Sequence, residues 1–422
     1  MTRDGKEVLN AVNSRREDIL NYLEALIKIP SVTGQEKECQ EFVGKTFHDM
    51  NLDVDIWEPS IEEISSHPAY VTRDANYRKR PNVVGVWRGS GGRSLLLNGH
   101  IDVVDPGPLE LWKYGPWSGT AEGCRIYGRG SCDMKGGLAA TIWALRCILE
   151  AGLKPKGDVI LESVVDEEIG GNGTLAAIIR SYKADAGIFA EPTDLQLHLA
   201  HRGSQFFRIT VWGKGAHCGL RFEGVSAVEK GIGLCDAIEK IEKKRDERVG
   251  KPHWLYRNYP ISAPITIGRF DGGIFPSIVP EKCIVEGAID IMPGETVREV
   301  REEFLSEINS FSQSDRWLRE HPPKVEWFGS SMEGGEISQD HPIVACVVNS
   351  YRKATGKNPH FGGLPAGSDM RLATKHGDTP SLIFGPGNLL NAHTHNEYVP
   401  IEDVITSTKV LALAIAEWCG IQ

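Results

Sequence analysis

The 422-residue chain has no apolar run long enough to cross a bilayer, which excludes a helical membrane span. No dense Lys/Arg tract is present and the formal net charge is -10, which argues against a nucleic-acid surface. The nine cysteines are odd in number, scattered and never arranged as C-x-x-C. Neither a disulfide framework nor a thiolate zinc site is expected, and the thiols should be reduced and mostly buried. The first residues, "MTRDGKEVLNAVNSRREDIL", are charged from the start and lack the apolar core and cleavage site of a signal peptide. The expected location is cytoplasmic, without membrane contact. Internal repeats and low-complexity segments are missing as well.

The composition, 41% hydrophobic and 25% charged, is that of a globular protein. Single cores stop growing beyond about 250–300 residues, so this length implies two domains. Ser14 and Glu17 have the spacing of a capping box ahead of an amphipathic helix carrying Ile19, Leu23, Leu26 and Ile27. Short apolar runs follow, "NVVGVWRG", "RSLLLNGHIDV", "GDVILESVV" and "AGIFAEP", separated by helical stretches such as Met134 to Leu149. The pattern predicts an α/β fold with a central sheet flanked by helices. From Arg202 the texture changes to strand, helix (Ser226 to Lys243), strand, strand, helix, an α+β unit of its own. "SLIFGPG" and a helix over Glu402 to Trp418 then resume the first texture. The expected division is a larger domain in two parts, 1–201 and 315–422, interrupted by an inserted domain over 202–314.

Four strand or loop ends carry candidate chemistry. In "LLLNGHIDVVDPG", His100 and Asp102 are two apart, so a continuing strand would point both to one face. A carboxylate there could orient a metal-binding imidazole, or the pair could be an ordinary strand-end turn. In "GRGSCDMKGG", Asp133 lies in a glycine-rich loop before a helix, where it could serve only as an N-cap. The loop lacks both G-x-G-x-x-G and the P-loop pattern, which weakens a nucleotide reading. "DEEIGG" sets Asp166, Glu167 and Glu168 side by side after an apolar run, and a bound cation would relieve their repulsion, although a solvated acidic turn would look the same. "AEPT" places Glu191 after another such run. Open α/β sheets gather their sites at the carboxyl ends of strands, and it is the convergence of these ends that favours a site. Histidine and carboxylate donors suit Zn, Co or Mn, and a carboxylate can bridge two such ions.

These segments, together with "GKGAHCG", "GGIFPSIVP", "PGE", "GSDMR" and "AHTHNEYV", occur in an order that runs over nearly the whole chain. In this the chain resembles the dinuclear zinc hydrolase family of aminoacylase, acetylornithine deacetylase, succinyl-diaminopimelate desuccinylase and glutamate carboxypeptidase. The resemblance implies two divalent metal ions, most commonly zinc, held by His100 and Glu191 on one side and Glu168 and His393 on the other, with Asp133 between them. It implies Glu167 as general base and Asp102 as the residue orienting His100. In the family the last ligand has the form His-x-x-Asn/Asp-Glu, so the resemblance implies His393, four residues before Glu397, rather than His395. The inserted part resembles a ferredoxin-like lid and dimerisation domain whose His217 reaches the site of the other subunit of a homodimer. Arg371 matches a residue that grips a substrate carboxylate.

The chain departs from the family where substrate is read: Ser277 replaces an Asn, "AIDIM" stands where an Arg commonly precedes "PGE", and Arg221 and Ser226 replace Pro and Asn. The implied reaction is metal-assisted hydrolysis of an amide bond in a small, carboxylate-bearing N-acyl amino acid. Alternatives are a dipeptidase or carboxypeptidase, a hydrolase of a formylamino or carbamoyl C–N bond, and an inactive binding or scaffold relative.

Overall fold

A computed structural model describes residues 3–71 and 76–422. The chain forms two compact units, one of Met1–His201, Gly335–Leu364 and Ser368–Gln422, the other of Arg202–Gly334 with Pro365–Gly367. Among the described residues no helix is long and apolar enough to cross a membrane.

The first unit is built on a nine-stranded mixed sheet. At its centre Leu95–His100 lies parallel to both Val159–Val164 and Ala186–Phe189. All three strands are buried along their whole length, as expected of β-rich apolar runs covered on both faces. The register pairs His100 with Val164 and Asn98 with Phe189, so the carboxyl ends of the three strands fall level. The residues that follow, Asp102, Asp166 to Glu168, and Glu191, therefore emerge along one edge. Gly137, at the start of the Gly136–Glu150 helix, allows that helix to approach the same edge: a Cβ there would lie 1.8 Å from the Ala190 carbonyl oxygen.

The N-terminal segment corrects one expectation. Ser14 does not open a helix; it closes one, Arg3–Ser14, its Oγ donating to the Ala11 carbonyl at 2.8 Å. The next helix, Arg16–Lys28, starts at Arg15 with no side-chain cap. The earlier helix forms because Val8 and Val12 share a buried face with Gly5. A true capping box occurs elsewhere, between Thr296 and Glu299 at the head of Val297–Ser314.

The second unit is a four-stranded antiparallel sheet in the order Ile265–Gly272, Lys282–Ile291, Gly203–Trp212, Lys324–Met332. Its core joins Phe207, Ile209 and Val211 of the sheet to Leu234, Ile238 and Ile241 of the Ala227–Arg245 helix and to Val300, Phe304 and Ile308 of Val297–Ser314. The return to the first unit comes at Gly335 rather than at residue 315. Strand Lys324–Met332 pairs with Gly203–Trp212, a long-range choice of partner that an apolar pattern does not encode.

Candidate metal centre

His100 ends its strand fully buried, and the hydrogen bond at Nδ1 fixes its ring. That partner is the backbone carbonyl of Asp102, at 2.8 Å. The Asp102 carboxylate is farther, at 3.7 Å, and it accepts instead from the Glu167 N–H (3.2 Å), the Glu168 N–H (3.4 Å) and the Thr33 hydroxyl (2.9 Å). The pair that looked like an Asp orienting a His is thus divided: the main chain of Asp102 holds the imidazole, and its side chain holds the acidic turn.

His100 Nε2 points into a cluster of carboxylates, 3.1 Å from Asp133 Oδ1 and 3.8 Å from both Glu167 Oε2 and Glu191 Oε2. The other oxygen of Asp133, Oδ2, lies 3.6 Å from His393 Nε2, which is also 2.9 Å from Glu168 Oε2. Asp133 therefore turns one oxygen toward each histidine. Ligand atoms of His100, Asp133 and Glu168 all lie within 4.8 Å of one another. His395, two residues beyond His393, packs edge-on against Trp112 with ring centroids 6.1 Å apart.

The electrostatics are those of a site short of positive charge. Burial, reinforced by Glu191 and Asp369, raises Glu167 well above the usual carboxylate range, although the His100 charge opposes it. Burial and the Asp133 charge bring Glu168 to about 7, and burial also raises Glu191. The hydrogen bond to Glu168 lifts His393 to about 9, against the effect of burial. Glu168 Oε1 is buried and has no hydrogen-bond partner among the described residues. A buried, unsatisfied carboxylate oxygen facing other acids is costly unless a cation meets it, so this donor set fits divalent ions of the Zn, Co and Mn class.

Two supporting residues were not legible as such in the sequence. Glu397 is buried and accepts from the N–H groups of Cys132 (2.9 Å) and Asp133 (3.1 Å), and from Arg129 Nη1 at 2.6 Å. Arg129 also donates to the carbonyls of Thr394 and His393. The signal for Glu397 in the sequence is its place four residues after the candidate ligand His393.

Three further sequence candidates are Arg371, His217 and Ser277. Arg371 is buried in the first unit, with Nη2 donating to the Gly170 carbonyl at 3.0 Å. The neighbouring Ser368 donates to Glu191 at 3.3 Å. His217 and Ser277 come together in the second unit: His217 bridges Ile278 and its Nδ1 accepts from the Gly219 N–H, while the Ser277 carbonyl accepts from Cys218.

Residues 96–417 match the family model described as "Peptidase family M20/M25/M40". A protein named N-formyl-4-amino-5-aminomethyl-2-methylpyrimidine deformylase, from Bacillus subtilis, is 29% identical, covering 97% of this chain and 96% of its own. A protein of the same name from Halalkalibacterium halodurans is 28% identical over 99% and 98% of the two chains. Among solved structures, a di-peptidase from Saccharomyces cerevisiae superimposes with a TM-score of 0.77 at 15% identity, covering 99% of each chain, which is a likeness of fold. With its matched motifs and the carboxylate–histidine cluster at the strand ends, the chain belongs to peptidase family M20/M25/M40 and is a metal-dependent hydrolase of amide bonds.

Proposed function

We propose that this enzyme removes a formyl group from a formylamino compound built on a small amine, using two divalent ions, and that N-formyl aminopyrimidines are its substrate class. The observation that carries this reading is the end-to-end similarity to two deformylases of that name.

In this reading His100, Glu191, Asp133, Glu168 and His393 would hold the ions, with His100 and Glu191 on one side, Glu168 and His393 on the other and Asp133 between them. Divalent ions bound there would supply Lewis acidity and would lower the pKa of a water toward neutrality. Glu167, 3.8 Å from His100 Nε2, takes the proton of the attacking water and returns it to the leaving amine. The Asp102 carboxylate keeps Glu167 in place by accepting from the Glu167 backbone N–H. His217 is assigned to the substrate oxyanion, reaching the site of a second copy in a homodimer formed through the second unit. Mixing His217→Ala with Glu167→Gln subunits should restore activity, and a mixture that stays inactive after proven subunit exchange would remove this assignment.

The function is tested by offering the zinc- or cobalt-loaded enzyme an N-formyl aminomethylpyrimidine, N-formyl, N-acetyl and N-succinyl amino acids, and dipeptides, and identifying the amine released. The formylamino pyrimidine should be preferred by at least about 10-fold in kcat/KM, the scale set by a few matched contacts. Preferred cleavage of dipeptides or succinyl amides would replace this reading with one of its alternatives.

A further inference from the structure

The acidic turn that carries Glu167 begins at Asp166, a non-glycine residue in the left-handed region (φ 76°). A buried polar network holds this conformation. Arg80 spans two acids: Nε and Nη2 donate to the two oxygens of Glu36 at 2.8 and 2.6 Å, and Nη2 also donates to Asp166 Oδ1 at 2.9 Å. Tyr77 donates its hydroxyl to Asp166 Oδ2 at 2.8 Å and accepts from Asn172. Arg80, Glu36 and Asp166 are almost wholly out of solvent, at 4%, 0% and 0% exposure.

The network returns to the turn by a second route. Glu36 Oε1 also accepts from the Gly34 N–H at 2.9 Å. This fixes the loop whose Thr33 donates to Asp102, and Asp102 accepts from the N–H groups of Glu167 and Glu168. The turn is thus held in front by Asp102 and behind by Asp166, and both holds depend on the Arg80–Glu36 pair. A bidentate guanidinium constrains both distance and plane, which a single ammonium cannot do.

We propose that Arg80 is a positioning residue for the reaction: through Glu36 and Asp166 it sets the place of the Glu167 carboxylate without touching substrate or metal. The inference rests on the reading of Glu167 as the base, and its test separates the two. Arg80→Ala would leave two buried acids unpaired and is expected to fold poorly, so the informative variants are Arg80→Lys and Tyr77→Phe. In zinc-loaded enzyme, with the best substrate of the panel above, Arg80→Lys should lower kcat by about 10-fold or more while KM and the bound zinc stay within about twofold, since small misplacements of a reacting group cost this much. Tyr77→Phe should act in the same direction by about threefold.

In a Glu167→Gln background the same Arg80→Lys change should alter the residual rate by less than about twofold, because its route of action has been removed. Full retention of the penalty in that background, or a wild-type kcat in Arg80→Lys, would overturn the proposal. An active Glu167→Gln enzyme would instead overturn the base. Hydrogen exchange gives a readout free of substrate: in Arg80→Lys or Tyr77→Phe, the peptide over 166–171 should exchange about 10-fold faster while that over 159–164 does not change. Unchanged exchange at 166–171 in both variants also refutes the proposal.

Discussion

Glu397 accepts a hydrogen bond from the backbone N–H of Asp133 at 3.1 Å across a separation of 264 residues. Through Arg129 the same carboxylate is tied to the loop of His393, so the two residues that face each other at 3.6 Å are held by one buried ion pair. Glu397→Gln should weaken metal binding by about 10- to 100-fold, the usual effect of removing a partner behind a ligand. It should also destabilise the protein by about 3–5 kcal/mol, since it leaves the Arg129 charge buried without its acid. Competition with a chelating dye and urea unfolding measure the two, and wild-type metal affinity would show that the Asp133 loop holds itself.

Glu167→Gln keeps the size of the side chain and removes the proton acceptor. Turnover should fall by at least about 10²-fold, and bound metal should stay at the wild-type level. A variant that retains most of its activity would require another route for the proton.

The two histidines of the C-terminal loop should separate cleanly. His393 faces Glu168 and Asp133, whereas His395 rests on Trp112. Elemental analysis of His393→Ala should find about one ion per chain against two in the parent, while His395→Ala keeps both. Loss of an ion from His395→Ala alone would exchange their roles.

Glu162 gives the protein a pH dependence separate from the metal ligands. It is buried on its strand, accepts one hydrogen bond from Asn98 at 2.8 Å, and burial raises its pKa from 4.5 to about 7. The folded state therefore holds this proton more tightly than the unfolded state does. Stability is unaffected below pH 4.5 and falls as pH rises from there to about 7, by roughly 3 kcal/mol in total. Glu162→Gln cannot ionise and should flatten this part of the profile, leaving the variant the more stable protein at pH 8. Urea midpoints from pH 4 to 8 measure it, and parallel curves for variant and parent would show that Glu162 does not titrate in this range.

Sequence alone was sufficient for the α/β frame and for the residues that gather at its edge. His100, Glu167, Glu168 and Glu191 each follow an apolar run, and parallel strands in register bring such ends level. It was not sufficient wherever the outcome depended on which of two available groups made a contact. His100 meets the carbonyl of Asp102 rather than its carboxylate, and Ser14 bonds back to Ala11 rather than forward. The Lys324–Met332 strand joins the second unit. The Arg129–Glu397 and Arg80–Glu36–Asp166 networks join residues far apart in the chain, and tertiary packing alone created them. Local pattern reports periodicity and donor type, whereas a buried charge takes its partner from whatever the fold brings within about 3 Å.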